Sequence, residues 1–294
     1  MIEACVRFGP RRRLAGIVTE PESVRPIAFL LVSAGLMPKH GPYRLYAELA
    51  RRVAEDGFRT LRFDLGGIGE SLPYDRSLPL RARTAHEISA AIDHLCVEHE
   101  IESVVLGGLC SGAEDAFRHA EHDRRVVGVV MIDPFAYRTR GWGWRHLLHR
   151  AGRRSLRALG RFESLRREAS GTGQRPATRL VDYRYMEQSE SERILSALLA
   201  RNVRAHFLYT AGQRERFNHE RQLRAMFPRL DFRDRVTLDY LPHIDHTQLL
   251  VADRRIVIEA VTRRLSDAYA GESGSALLGH GSAGSLDTSR LPRT

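Results

Sequence analysis

Three observations predict an α/β fold with a mostly parallel, twisted sheet of about eight strands, helices on both faces and an inserted helical cap. Strand-like and helix-like patterns alternate through most of the 294 residues, the signature of a parallel sheet covered on both sides. Ile27–Ser33 and Val126–Ile132 are unbroken apolar runs, as strands buried on both faces require. Between them, an apolar run over 101–107 meets the five-residue turn Gly108-Leu109-Cys110-Ser111-Gly112, and a helical stretch over 113–120 follows.

The elements follow in order. Residues 4–8 and 13–19, joined through Gly9-Pro10, read as an antiparallel hairpin. Ile27–Ser33 is the next strand. Leu45, Leu49 and Val53 then recur at helical spacing, and that helix ends near Gly57. Residues 59–64 give a strand, 85–98 a helix, and the strand, turn and helix around Cys110 come next. After Val126–Ile132 the alternation breaks. Residues 137–189 hold Trp142, Trp144 and many arginines, with a helical stretch over 146–162, and they read as the cap. Alternation resumes with a helix over 191–200, a strand over 203–209, a further helix, a strand over 235–239 and a final helix over 247–268. From Gly271 on, Gly, Ser and Arg dominate and no apolar period survives, the composition of a disordered tail. The division is therefore core 1–136, cap 137–189, core 190–270 and tail 271–294.

Composition narrows the function classes. No apolar run approaches the roughly 20 residues that span a bilayer, so stable membrane insertion is not expected. The first residues lack a basic start followed by an apolar stretch. Cys5, Cys96 and Cys110 are odd in number and widely spaced, which argues against disulfides and against a metal site; a reducing cytoplasm is the expected location. The net charge is +10, yet Lys39 is the only lysine, and the arginines are scattered without a recognised binding motif. Nucleic acid is therefore not expected as a partner.

The turn around Cys110 carries the chemistry. A strand, a glycine-bounded turn and a helix form a nucleophile elbow, in which the central side chain is thrust above the sheet. Cysteine stands where serine is usual. Ser111 fits as the residue after the nucleophile, whose backbone N–H faces a developing oxyanion. Gly66, Gly67 and Gly69 lack the spacing and lysine of a phosphate-cradling loop and read as a structural turn. No cofactor or metal is expected.

The order of elbow, cap, acid candidate and late histidine resembles the α/β-hydrolase superfamily over roughly residues 1–268, with serine-aminopeptidase-like and exosortase-associated hydrolases as the nearest likeness. The residues that carry it are Ser33-Ala-Gly-Leu36, the stretch from Gly41 to Tyr46, and Arg62-Phe-Asp64 with the glycines and Ser71 that follow. Cysteine at the elbow is similar to dienelactone hydrolase and some thioesterases. The resemblance implies His246 as the base, within Pro242-His-Ile-Asp-His-Thr247, with His243 as its rival. It places the acid after the strand ending at Tyr209, where Glu215 of Gly212-Gln-Arg-Glu215 stands; Asp133 is the alternative. The oxyanion would be received by the N–H groups of Ser111 and Leu36.

A cysteine nucleophile passes through a thioester, near in energy to the thioesters of CoA or a carrier protein. The expected partner is thus a small acyl substrate, free or carried on CoA or a carrier protein, and the expected activity is that of a thioesterase, esterase or acyltransferase. Two alternatives stand beside it: a small-molecule esterase or lactonase, and a non-catalytic protein of this fold. In the cap, Leu148, Leu156, Leu159 and Phe162 share a helical face. Arg150, Arg153, Arg154, Arg157 and Arg161 surround that face and read first as the solvated cationic side of an amphipathic helix packed on the domain, with attraction of phosphates as the functional alternative.

Overall fold

The computed structural model describes residues 1–73, 78–147 and 185–271. Eight strands form one sheet in the order β1-β2-β4-β3-β5-β6-β7-β8. They are β1 (Ile2–Phe8), β2 (Leu14–Glu20), β3 (Ile27–Val32), β4 (Thr60–Phe63), β5 (Ser103–Leu109), β6 (Val126–Ile132), β7 (Arg204–Thr210) and β8 (Val236–Leu241). The expected hairpin is present, with β1 antiparallel to β2, and β2 runs antiparallel to β4 as well. All later pairings are parallel.

Helices cover both faces, as the apolar runs demand. On one side α1 (Leu45–Glu55) and α6 (Val251–Ala268) bury Leu49, Val53, Val257 and Val261 against Phe29, Leu31 and Val105. On the other side α2 (Leu80–Glu98), α3 (Ser111–Ala120) and α4 (Gln188–Ala200) bury Ile88, Phe117 and Leu195 against Leu30, Leu106 and Phe207. All six residues of β3 are buried, so alternate side chains feed the two cores. Removing such a leucine side chain costs about 2–5 kcal/mol.

Two boundaries differ from the periodicity. The last helix starts at Val251, not Thr247, because the Asp245 carboxylate accepts the N–H groups of Thr247 (2.8 Å) and Leu249 (3.1 Å) and holds a turn there. The helix between β7 and β8 is only α5 (Gln222–Met226). Residues 136–137 and 185–186, which lie on either side of the undescribed stretch 148–184, meet. Tyr185 accepts the Ala136 N–H and donates to the Ala136 carbonyl, while Tyr137 donates to the Met186 carbonyl at 2.9 Å. The apolar and basic cap residues named above, from Leu148 to Phe162, lie outside the described residues, as does the tail beyond Gly271.

Candidate active site

The loops after β3, β5, β6, β7 and β8 converge at the carboxyl ends of the strands, the edge where open parallel sheets bind ligands. The elbow sits at the centre. Cys110 adopts φ 54° and ψ −120°, a conformation a side-chain-bearing residue holds at a cost of about 1–3 kcal/mol. Its N–H donates to the Ile132 carbonyl at 2.8 Å, and its carbonyl accepts the Glu114 N–H of α3 at 3.2 Å. The flanking glycines are obligatory on steric grounds. A Cβ on Gly108 would lie 2.5 Å from the Gly112 backbone, and one on Gly112 would lie 2.4 Å from the Val32 carbonyl oxygen. The α3 N-terminus begins at the next residue, and its dipole favours negative charge on the sulfur.

His246 faces the thiol. Its Nδ1 lies 2.8 Å from Asp133 Oδ2, and Cys110 is the ring's other side-chain hydrogen-bond neighbour. The Asp133 and Cys110 hydrogen bonds outweigh burial and push the His246 pKa up to about 10. The imidazolium is the form this setting stabilises. The loop that presents the ring is fixed at three points. The Ile244 carbonyl accepts the Ala211 N–H at 2.7 Å, the Asp245 carboxylate caps the following turn, and buried Gln248 donates to the His246 carbonyl at 3.2 Å.

The carboxylate on His246 is Asp133, so the acid assignment moves away from Glu215. Glu215 is exposed, and among the described residues its backbone carbonyl, not its carboxylate, is engaged, accepting from Arg138 Nε at 3.1 Å. Asp133 is fully buried. The chain turns at it with φ 48°, its N–H donates to the Leu208 carbonyl at 2.8 Å, and its side chain is aimed toward β7. There Thr210 donates its N–H to Oδ1 at 2.6 Å and its hydroxyl to Oδ2. A buried carboxylate is tolerable only with such donors. His243, the rival base, is exposed.

The structure also brings Leu36 and Ser111 together. The Gly35 N–H donates to Ser111 Oγ at 2.8 Å, which joins the loop after β3 to the first residue of α3. That bond consumes the Gly35 donor. Among the described residues no acceptor takes the Leu36 N–H, and the Ser111 N–H is one of the donors a helix start leaves open.

Two contributors carried no role in the sequence reading, and a third carried a different one. Tyr46, within the 41–46 block, is buried beneath the elbow; its hydroxyl accepts the Leu109 N–H at 2.8 Å and donates to the Val32 carbonyl at 3.0 Å. Thr210 closes β7 immediately before the candidate acid loop, a position at which a hydroxyl signals support for a carboxylate. Gly212 was read as a marker for the acid, yet its use is clearance: a Cβ there would lie 2.6 Å from His246 Nδ1 and 2.7 Å from Asp133 Oδ2. Among the described residues no group of three His, Cys, Asp or Glu side chains is placed to hold a metal ion, and no helix is long and apolar enough to cross a membrane.

The fold is matched across nearly whole chains of known structure. The esterase domain of a Rhodothermus marinus protein superposes with a TM-score of 0.57 at 17% identity, covering 90% of this chain and 99% of that one. The α/β hydrolase GrgF from Penicillium sp. sh18 gives 0.56 at 17% identity, covering 92% and 99%. XC6422 from Xanthomonas campestris, an α/β serine hydrolase without a lid, gives 0.53 at 15% identity, covering 90% and 94%. This chain has the α/β-hydrolase fold. No protein-family model matches it. Among curated proteins, the uncharacterized Escherichia coli (strain K12) protein YcjY is 32% identical over 85 residues, and the chain spans 28% of its length, with 28% of this chain covered.

Proposed function

We propose that the protein is a cysteine-nucleophile hydrolase or acyltransferase of esters and thioesters, with Cys110, His246 and Asp133 as its reacting triad. The observation that carries this reading is the strained elbow: a thiol held at φ 54° above the sheet, facing an imidazole whose far nitrogen is bound to a buried carboxylate. A structural cysteine needs none of that. The same observation weighs against a non-catalytic role.

The chemistry follows from the positions. The Cys110 thiolate attacks the acyl carbonyl, forming a C–S bond and pushing the carbonyl electron pair onto oxygen. The N–H groups of Ser111 and Leu36 receive that oxyanion, a contribution of order 10²–10³ in rate per donor. Collapse breaks the bond to the leaving alkoxide or thiolate, which takes a proton from the His246 imidazolium. The acyl group is now a thioester on Cys110. Neutral His246 next removes a proton from water, or from an acceptor alcohol, amine or thiol, as it attacks. The second oxyanion collapses, expels the Cys110 thiolate and restores the ion pair. Asp133 holds Nδ1 throughout and offsets the ring's charge.

Ester and thioester bonds suit this centre better than amides, because an amine must be protonated before a thiolate can expel it. A second reading, a small-molecule esterase or lactonase, is supported by the likeness to an esterase domain; a panel of aryl esters, lactones and thioesters separates the two. The nucleophile itself is tested by alkylation. Cys110 should react with iodoacetamide near neutral pH at least tenfold faster than Cys5 or Cys96, as followed by peptide mass. Equal rates at the three thiols would remove it from the mechanism.

A further inference from the structure

Most arginines whose partners are described are spent on carboxylates. Arg52 pairs with Asp56 and Glu259, Arg62 with Glu3, Arg254 with Glu48 and Arg264 with Asp239. Others hydrogen-bond only to backbone carbonyls, as Arg13, Arg25 and Arg201 do, and four arginines in and around the loop 211–218 have neutral partners as well. Arg138 Nε donates to the Glu215 carbonyl at 3.1 Å, Arg145 Nε to Asn218 Oδ1 at 3.0 Å, and Arg214 Nη2 to the Pro242 carbonyl. The Arg216 guanidinium lies over the Tyr185 ring, 4.0 Å from its centroid. All four partners are neutral, and among the described residues none of the four cations makes an ion pair. The Glu215 carboxylate, in their midst, pairs with none of them.

These cations are also held in place. Arg138 stacks on Trp142, with its guanidinium carbon 4.1 Å from the ring centroid, and Trp142 stacks in turn on His146 at 4.5 Å. Each guanidinium has five donors in a rigid fork, and among the described residues the contacts above, with the Arg216 bond to Tyr185, take up only a minority of them. The same loop packs against the triad. A side chain on Gly212 would collide with both His246 and Asp133, and Gln213 Nε2 donates to the Asp133 carbonyl at 3.2 Å. Preorganised positive charge without a counter-charge among the described residues, beside the candidate triad, is the complement of an anion.

We infer that the Arg138, Arg145, Arg214 and Arg216 guanidiniums bind an anionic group, phosphate or carboxylate, carried by the acyl substrate whose carbonyl reaches Cys110. This names the substrate class and rests on the reading of Cys110 as nucleophile. The anion can stand on either side of the scissile bond: a phosphate on the leaving thiol, or a carboxylate at the far end of the acyl chain.

Four thioesters distinguish these. Two share one simple acyl group, on pantetheine and on 4′-phosphopantetheine; two share pantetheine, with acyl chains ending in a methyl or a carboxylate. One anionic member should exceed its neutral counterpart in kcat/KM by about tenfold or more, with the margin shrinking as salt rises. The ratio should fall to within about twofold in Arg138→Gln/Arg145→Gln, and in part in Arg216→Gln, a single exposed change that keeps the test open should the double variant unfold. Ratios within twofold in the wild-type protein, or a preference that survives both variants, would overturn the assignment. Binding of the free products, phosphopantetheine against pantetheine and dicarboxylate against monocarboxylate, is read by calorimetry. Anion-selective binding with no turnover would sink the Cys110 chemistry and leave the anion site standing; turnover without charge preference would do the reverse.

Discussion

At the scale of single residues, the account depends on a chain of support running from β7 to the sulfur. Thr210 gives two hydrogen bonds to Asp133, Asp133 binds His246, and His246 faces Cys110. Replacing Thr210 by valine keeps the shape and removes the hydroxyl, leaving the buried carboxylate one donor short at a cost of about 1–3 kcal/mol. The carboxylate then holds the imidazolium less tightly, and the His246 pKa falls from about 10. The alkaline limb of kcat/KM, which reports loss of the imidazolium, should therefore move to lower pH in Thr210→Val and stay near its wild-type position in Thr210→Ser. An unmoved limb in the valine variant would show that Thr210 does not act through Asp133. Because the folded pKa of His246 is raised, its contribution to stability is complete below about 6.5 and is lost as pH rises through about 10. Thermal unfolding of His246→Gln should accordingly show less alkaline destabilisation than the wild-type protein. Gly212→Ala puts a methyl group where His246 Nδ1 and Asp133 Oδ2 already lie. Displacing the ring by about 1 Å should cost roughly 10²-fold in kcat with the fold intact by circular dichroism; normal turnover would mean the pair tolerates that shift.

At the scale of elements, the elbow was legible because its physics is local. Gly108 and Gly112 flank a side-chain-bearing residue between a strand and a helix, and no other pair of residues could pass that close to Val32 and to each other. The acid was not legible in the same way. Asp133 and Glu215 both follow strands, and only the side-chain directions, set by the turn at Asp133 with its φ of 48°, decide which reaches His246. The loop after β3 is an element of its own. Ser33 Oγ donates to the Phe63 carbonyl at 2.7 Å, and Lys39 binds the fully buried Asp64 through its N–H at 2.6 Å and its Nζ at 2.8 Å. The Glu70 partner of Lys39 is exposed and adds little. Lys39→Met removes the cation from a buried carboxylate that keeps only the N–H groups of residues 39 and 70 and should lower stability by about 1–3 kcal/mol, measured by urea unfolding, with a matching loss of activity as the Leu36 donor loosens. A change below about 0.5 kcal/mol would place the loop's order elsewhere.

At the scale of the whole molecule, alternation of strand and helix patterns was enough to foresee the sheet, its antiparallel start and its two-sided cover, because burial on both faces writes itself into runs such as Ile27–Val32. Which loops meet over the sheet is a property of strand order, and that order brings the ends of β3, β5, β6, β7 and β8 to one edge. Thr210, Tyr46 and the arginines of the 211–218 loop gain their roles only through that meeting, so their neighbours in the chain announce little. The net charge of +10 likewise reads differently in three dimensions, with arginines such as Arg52, Arg62, Arg254 and Arg264 bracing the elements through carboxylates. The central claim, a covalent acyl group on the elbow sulfur, is measured directly by the intact mass of the protein quenched within seconds of meeting a thioester in excess. The wild-type protein should gain the mass of one acyl group, mapped to Cys110, and Cys110→Ala should gain none. No adduct in the wild-type protein while substrate is consumed, or the same adduct in Cys110→Ala, would contradict it.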